Sequence, residues 1–472
     1  MLRVGAGTSC RFNVILVEPR LLSGPESTRG LAEPMVQVDL LGGIGEIGGN
    51  KFLVEDSDSR ILLDFGMSLG MRGQFFSEPF LSPRDRQGMV TLGILPDVHG
   101  LYRDEESPAI DAVVLSHAHI DHSMCISLLN RKIPVYCGET TLSILKTLSE
   151  MRPRGFENDL EGIDFKAFRT GDSLSFGKIQ LEPIHVDHSI PGSYGFLVHT
   201  SKGTIAYSGD FRAHGPKSNM TKDFVDAAER SEPEIFLCEG TNLVRGDLRT
   251  EQEVLEKSEH VVRKTKGAVL ASFSSADIDR LRSFHQIAEK NDRLLVVSMK
   301  QAYLLRSLAN DKHLEVPDVI GDPHIAVYQR FKKTYYNWEK DILSAVTVKT
   351  SKDIRDMQSK VILASSPYDM NEVLDIQPGP GGAYINSSSE PFNEEMEIDH
   401  ERFTNWLNHF GLPMYQIHSS GHMMPTELRE TIAQVKPKRL IPIHTEQPEL
   451  YRLFVKDLTM VELGAKGSTV EV

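Results

Sequence analysis

Cysteine is scarce in this chain, long apolar runs are missing, and no lysine follows its glycines in the manner of a phosphate loop. Four cysteines (Cys10, Cys125, Cys137 and Cys238) are scattered among 472 residues without a Cys-x-x-Cys pair. This excludes a disulfide framework and a thiolate zinc site, and fits a reducing compartment, so a cytoplasmic location is expected. No apolar run nears the roughly 20 residues that a membrane span needs. Residues 1–35 contain one short apolar piece, Val14 to Val17, followed by arginine, proline and glutamate without a cleavage pattern. A signal peptide is therefore not expected, the stretch reads as a flexible extension, and Met35 is a candidate true start. Cationic excess is also absent. A formal charge of −14 argues against indiscriminate nucleic-acid binding. It leaves room for a nucleic-acid substrate, because bound divalent metals are large local positive charges. Lys436-Pro437-Lys438-Arg439 is one candidate basic groove, although a short basic turn is more often solvated surface.

The chain has an ordinary globular composition and the length for two or three domains, or for one domain with a large insertion. Val36 to Leu41, Lys51 to Glu55 and Ile61 to Phe65 read as strands around the glycine-rich turn Gly42 to Asn50. That turn lacks Gly-Lys-Ser/Thr and opens no helix, so a dinucleotide site is poorly supported. Residues 67–110 read as a long irregular insertion, and strand and helix signals alternate from Asp111 to about Asn242. From about Arg249, helical stretches (Glu251 to Lys266, Ala276 to Asn291) alternate with strand runs (Ala268 to Phe273, Leu294 to Ser298, Val361 to Ser365). This is the pattern of a second α/β unit. Gly379-Pro380-Gly381-Gly382 and the acidic Asn393 to Glu401 read as loops, and near Met414 the chain returns to the first unit.

The chemistry concentrates in Leu115-Ser116-His117-Ala118-His119-Ile120-Asp121-His122, directly after the apolar run Ala112 to Leu115. Alternate residues of an extended chain point the same way, so His117 and His119 can grip one ion. Asp121 and His122 then turn towards a second position. Neutral imidazole and carboxylate suit zinc, and also manganese or iron. Further stretches can complete the site: Pro183 to Pro191 with His185 and His188, and the strand end Tyr207-Ser208-Gly209-Asp210. Leu237-Cys238-Glu239, Ser420-Gly421-His422 and Pro442-Ile443-His444 join them. Asp210 stands where a carboxylate can bridge two metals. Of His185 and His188 only one is needed, and His188 is favoured because Ser189-Ile190-Pro191 follows it. His99, His199, His214, His285 and His418 read as structural or surface residues. Phe273, Tyr335, Tyr336 and Trp406 can stack bases, but core packing is the better reading of any single aromatic.

Taken in order, these motifs resemble the metallo-β-lactamase superfamily and its β-CASP branch of nucleases. The glycine turn Leu41 to Gly48, His188-Ser189-Ile190-Pro191 and Ser420-Gly421-His422 most resemble ribonuclease J, and the resemblance covers residues 36 to about 460. It implies a metallo-β-lactamase αββα sandwich with an inserted β-CASP α/β domain. The implied division is an extension over 1–35, a first sandwich part over 36–245, the β-CASP domain over 246–413 and a return segment over 414–472. It implies a first zinc on His117, His119 and His188, a second on Asp121, His122 and His444, and Asp210 bridging both. His422 would face the scissile phosphate, Glu239 would orient a ligand histidine, and Ser420 and Gly421 would contact a phosphate.

The activity implied is that of a zinc-dependent hydrolase cleaving single-stranded RNA, as exonuclease or endonuclease, with Asp121, Asp210, Glu239 and His422 in the catalytic set. Manganese would also suit the ligands. Ser366-Pro367-Tyr368-Asp369-Met370-Asn371-Glu372 keeps the Asn-Glu of a family segment that frames substrate but not its Pro-Gly. The sequence ends soon after His444, so the C-terminal domain of longer relatives, used in dimerisation, is expected to be absent and oligomeric state stays open. Rival readings are a DNA nuclease, a small ester, thioester or lactam hydrolase, and an inactive RNA-binding scaffold. No membrane association is expected.

Overall fold

Buried and partly covered residues alternate along Val36–Gly42, so one face of this strand enters a core. The strand pairs antiparallel with Lys51–Asp56 across the glycine turn, and that strand pairs antiparallel with Ser59–Leu63. The computed structural model describes residues 35–77, 80–153, 155–244, 250–388 and 394–472, without the side chains of 394–397. The extension expected before Met35 and the boundary expected at 245/246 lie outside the described residues.

Pairing turns parallel beyond Ser59–Leu63, through Ala112–Val114 and Val135–Gly138 to Phe165–Phe168. Thr469–Glu471 adds itself beside Val36–Gly42 and completes a seven-stranded sheet. A second seven-stranded sheet runs Met460–Val461, Arg439–Ile443, Ile235–Glu239, Gly203–Tyr207, Tyr194–Thr200, Ile179–His185 and Leu174–Phe176. The two sheets face each other across Val38, Phe52, Ile61, Ile205, Tyr207 and Ile441. Strand alternation sends the intervening residues outwards. Ala206, Phe236 and Leu440 therefore meet Phe224 of helix Ser218–Ser231, Ile432 of helix Pro425–Val435 and Tyr451 of helix Pro448–Val455. Leu62, Val113 and Val135 meet Ile144 and Leu145 of helix Glu139–Met151 on the far side of the first sheet. The result is the four-layer αββα sandwich.

A third seven-stranded sheet is parallel throughout. The chain enters it at Val269–Ser272 and steps outward through Leu294–Ser298, Ile325–Tyr328 and Val348–Lys349. It then lays Val361–Ala364 back between the first two, and leaves by Ala383–Asn386 and Met414–Gln416 on the other flank. Both faces are covered by helices, as the continuous apolar character of such strands requires.

Three segments depart from expectation. Residues 67–110 contain two short helices, Leu69–Phe75 and Arg86–Thr91, each started by a side chain accepting a backbone N–H, from Ser68 and Asp85. The acidic stretch expected as a loop is helical over Glu394–His409. Phe403, Trp406, Leu407 and Phe410 recur at helical spacing there and pack against Ala268, Leu270 and Tyr384. Met414–Gln416 pairs with Ala383–Asn386, so the chain leaves the third sheet only after Gln416 and rejoins the second at Arg439–Ile443. No helix among the described residues is long and apolar enough to cross a membrane.

Candidate metal centre

The strand Ala112–Val114 is buried along its whole length and delivers Ser116 and His117 into the interior. The backbone stays extended to His119, which starts the single helical turn Ile120–Ser123. Extended geometry brings His117 Nε2 within 3.0 Å of His119 Nδ1. The helical turn then swings Asp121 and His122 to the other side. Two glycines make room for this. A Cβ on Gly66 would fall 1.7 Å from the Asp121 carbonyl oxygen, and one on Gly48 (φ +82°) would fall 2.9 Å from Asp121 Oδ2. The glycine-rich turn thus serves close packing against the site.

Other strands bring their ends to the same place. His188 follows Ile179–His185, and its Nε2 lies 3.1 Å from His119 Nδ1. Asp210 follows Gly203–Tyr207, and His444 follows Arg439–Ile443. His444 adopts φ +50°, an uncommon conformation for a non-glycine residue, while its N–H donates to the Gly43 carbonyl. Donor atoms fall into two groups sharing one carboxylate: His117, His119, His188 and Asp210, and Asp121, His122, Asp210 and His444. Asp210 Oδ2 stands 3.1 Å from His122 Nε2, 3.6 Å from His117 Nε2, 3.7 Å from His444 Nε2 and 3.8 Å from His188 Nε2. His422 and Glu239 approach His444 in a third group.

These donors fit divalent cations. Imidazole nitrogens converge on one another and on buried carboxylates, and Asp210 Oδ1 is buried with no hydrogen-bond partner. A buried polar atom is normally satisfied, so an orphan here marks a place for a cation. Burial, followed by the charge of His122, holds His117 well below the ordinary imidazole range. Burial and His119 do the same for His188, and burial brings His119 to about 4. Three neutral imidazoles are what a metal requires of its ligands. Burial alone would also lower His122, but Asp210, Asp121 and Asp64 outweigh it and raise it well above that range. Burial would raise Asp121, yet His122 and His444 hold it low, and His122, His444 and His422 act likewise on Asp210. In His422, Asp210 and Glu239 overcome burial and push the ring up to about 9.

A further layer orients the rings. His122 Nδ1 donates to Asp64 Oδ2 at 2.7 Å, and Asp64 also accepts from the Ser116 N–H at 2.6 Å and the Tyr207 hydroxyl at 2.5 Å. His188 Nδ1 donates to the Gly421 carbonyl. Thr241 Oγ1 lies 2.8 Å from His444 Nδ1 and 3.2 Å from His422 Nδ1. Glu239 accepts backbone N–H groups of Thr241 at 2.8 Å and Met423 at 3.0 Å, with its Oε2 3.6 Å from His422 Nδ1. Ser420 Oγ accepts from Asn242 Nδ2 at 2.7 Å. Asp64, Thr241 and Asn242 were not singled out in the sequence. Asp64 closes the strand Ser59–Leu63 in the same way that Asp210 closes its own, which is the one signal that would have found it.

Of the remaining histidines, His214 borders the site, its Nε2 3.0 Å from the Ser420 carbonyl. His185 pairs with Asp223 at 2.9 Å, His285 with Asp322 at 2.8 Å and His214 with Glu427 at 2.8 Å. His418 Nδ1 donates to the Ser387 carbonyl at 3.1 Å. The Lys436–Arg439 turn is tied down by ion pairs of Lys438 to Glu234 and Arg439 to Glu462. Cys125, Cys137 and Cys238 are buried and free.

Two buried arginines connect the site to the third sheet. Arg212 pairs with Asp187 at 3.1 Å, Glu251 at 2.8 Å and Asp279 at 3.0 Å. Arg280 pairs with Glu251 at 3.0 Å and donates to the carbonyls of Ser387 at 2.7 Å and Ser419 at 3.4 Å. Helices Glu251–Lys264 and Ile278–Lys290 are thereby fastened beside His188, Asp210 and the Ser420–His422 segment.

The chain is similar to several known proteins. A β-lactamase superfamily domain model matches residues 94–228, the stretch carrying His117, His119, Asp121, His122, His188 and Asp210. Ribonuclease J of Helicobacter pylori is 26% identical over 434 residues, covering 88% of this chain and 57% of that protein. Ribonuclease J of Thermus thermophilus is 26% identical over 454 residues, covering 89% of this chain and 70% of that protein. The chain thus spans little more than half the length of the Helicobacter relative. The crystal structure of a protein of unknown function from Enterococcus faecalis V583 superposes with a TM-score of 0.74 at 22% identity, covering 93% of this chain and 100% of that one. The fold is the metallo-β-lactamase fold, and most of the chain is similar to ribonuclease J.

Proposed function

We propose that this ribonuclease J-like chain is a two-metal ribonuclease hydrolysing phosphodiester bonds of single-stranded RNA, with the third-sheet unit acting as a β-CASP domain. The observation that carries the reading is a pair of buried histidine and aspartate groups sharing Asp210 Oδ2, with His422 and Ser420 beside them. His117, His119 and His188 would hold one zinc, Asp121, His122 and His444 the other, and Asp210 both; manganese would suit the same donors. Two such ions, when bound, acidify a water and neutralise an in-line phosphoryl displacement.

The chain's own residues supply the rest. His422, which Asp210 and Glu239 push up to about 9 in the metal-free chain, stands where its ring can give a proton to the leaving oxygen or offset the phosphate charge. Thr241 and Glu239 hold that ring and the neighbouring His444 in place. Ser420 offers a hydroxyl at the same edge, and the Gly421 carbonyl fixes His188. The buried arginine pair fastens the helices of the third sheet beside the proposed ligands.

The test is cleavage of end-labelled RNA bearing 5′-monophosphate, 5′-triphosphate or 5′-hydroxyl, with matched DNA and Asp121→Ala as controls. We expect metal-dependent cleavage of RNA, reduced at least about 1,000-fold in Asp121→Ala, as is usual when a group acting as part of a catalytic unit is lost. Release of mononucleotides from the labelled 5′ end would mark exonuclease action, and internal fragments endonuclease action. If no RNA is cut under any metal, the proposal fails. If DNA is cut as fast as RNA, the substrate class changes.

A further inference from the structure

His422 rides on a segment that belongs to no helix or strand, between the strand Met414–Gln416 and the helix Pro425–Val435. An irregular segment keeps one shape only where its peptide groups find partners outside it. Arg280 donates to the Ser419 carbonyl at 3.4 Å, His188 Nδ1 to the Gly421 carbonyl, and Asn242 Nδ2 to the His422 carbonyl at 3.0 Å. Glu239 accepts the Met423 N–H at 3.0 Å. On either side of His422 stand the Ser420 carbonyl and the Met424 N–H, and these fall to a further pair of side chains.

That pair is His214 and Glu427. His214 Nε2 lies 3.0 Å from the Ser420 carbonyl oxygen, and its Nδ1 lies 2.8 Å from Glu427 Oε2. The same Glu427 oxygen accepts the Met424 N–H at 3.1 Å. The two side chains are 2% and 15% exposed, so little water competes for these bonds. A surface pair looks different: His185 and Asp223 are 32% and 59% exposed, where such a contact carries little weight. His214 and Glu427 are buried, and their polar contacts outside the pair go to the segment that carries His422.

The pair is itself anchored. His214 follows Asp210 in the loop between strand Gly203–Tyr207 and helix Ser218–Ser231. The loop is pinned on both sides of His214. The Arg212 N–H donates to the Asp187 carbonyl at 2.8 Å, and the Arg212 carbonyl accepts from Thr221 Oγ1 at 2.7 Å. The Lys217 N–H donates to Asp187 Oδ2 at 2.9 Å. Glu427 sits in the first turn of its helix, where the helix dipole favours a carboxylate. One loop therefore presents both Asp210 and the ring that holds the His422 segment.

We propose that His214 and Glu427 are a positioning pair, which sets where the His422 ring and the Ser420 hydroxyl stand for the reaction. The proposal rests on the ribonuclease reading for the reaction and on these hydrogen bonds for the geometry. A misplacement of about 1 Å, made away from the chemistry, is enough to cost about 100-fold in rate.

The test compares His214→Leu, Glu427→Ala and Glu427→Gln in the full chain loaded with zinc, well below each melting temperature. The first two should lower kcat on single-stranded RNA about 10- to 100-fold at unchanged KM and unchanged zinc per chain. Glu427→Gln keeps an acceptor oxygen at the same reach and should recover most of the rate. The double variant of His214→Leu with Glu427→Ala should be no slower than the slower single one, because the two act as a unit. A readout without cleavage uses zinc-free protein with isotope-labelled histidine rings. There the NMR signal of His422, identified by its loss in His422→Gln, should move in His214→Leu and Glu427→Ala and stay near its place in Glu427→Gln. Unchanged kcat in His214→Leu, a loss carried by KM, a loss that follows lost zinc, or Glu427→Gln as slow as Glu427→Ala overturns the proposal. So does an unmoved His422 signal, whether or not RNA is cut. If the parent cuts no RNA while the His422 signal moves as expected, the ribonuclease reading falls and the placement of His422 by this pair stands.

Discussion

Asp64 sits in the shell behind the proposed ligands, buried at the end of Ser59–Leu63 with φ +57°, and fixes His122 by accepting from its Nδ1. Thr241 does the same for His444 through its hydroxyl. Residues of this kind set ring orientation and basicity, so their loss weakens metal binding without removing a ligand. We expect Asp64→Asn and Thr241→Val each to lower zinc affinity about 10- to 100-fold, measured by competition with a chelating dye. An unchanged affinity would show that the rings are held by packing alone. The converging histidines of the His117–His122 stretch were legible in the sequence because spacing after a strand carries them. Asp64 and Thr241 were not, because a hydrogen bond across 58 or 203 positions leaves no local pattern. His418 offers a residue-scale test of pH. Burial, and then Arg280, lowers it to about 4 from the ordinary 6.5. The unfolded chain therefore takes up the proton first, so stability present above pH 6.5 is lost as pH falls towards 4. Replacing His418 by Gln removes that component. Urea unfolding should give a shallower loss between those pH values in the variant than in the parent.

At the scale of elements, helices Glu251–Lys264 and Ile278–Lys290 act as brackets, since each presents buried charge to the ends of distant strands. A buried ion network adds little net stability when whole, but losing one member leaves its partners charged and dry. Arg280→Met should cost about 3–5 kcal/mol, read from the urea midpoint, because Glu251 loses one of its two arginines and the carbonyls of Ser387 and Ser419 lose a donor. A loss near the cost of an exposed pair, below about 1 kcal/mol, would mean that water replaces the arginine. Three strands of the third sheet, Val269–Ser272, Leu294–Ser298 and Val361–Ala364, were readable as short apolar runs between helical stretches, and the other four were not. Helix Glu394–His409 was not, because its acidic start hides the apolar spacing of Phe403, Trp406 and Leu407 that packs it onto the sheet. The seven-stranded order was equally hidden. Nothing local in Val361–Ala364 says that it slips between two earlier strands.

At the scale of the whole molecule, the proposed metal site draws together chain segments from both sheets of the sandwich. His117 and Asp121 come from the first sheet, and His188, Asp210 and His444 from the second. Asp121 and Asp210 share His122 and His444 as neighbours, whose imidazoles hold both carboxyls low. A divalent ion that binds only the folded chain stabilises it by mass action, about 2.7 kcal/mol at a free concentration one hundred times Kd. The melting temperature of the loaded protein should therefore rise with zinc concentration and fall by several degrees on chelation. Asp210→Asn should remove most of the zinc dependence, because its carboxylate faces both donor groups. A melting curve indifferent to zinc and chelator would mean that these donors hold no ion in the folded chain, and the two-metal reading would fall with it.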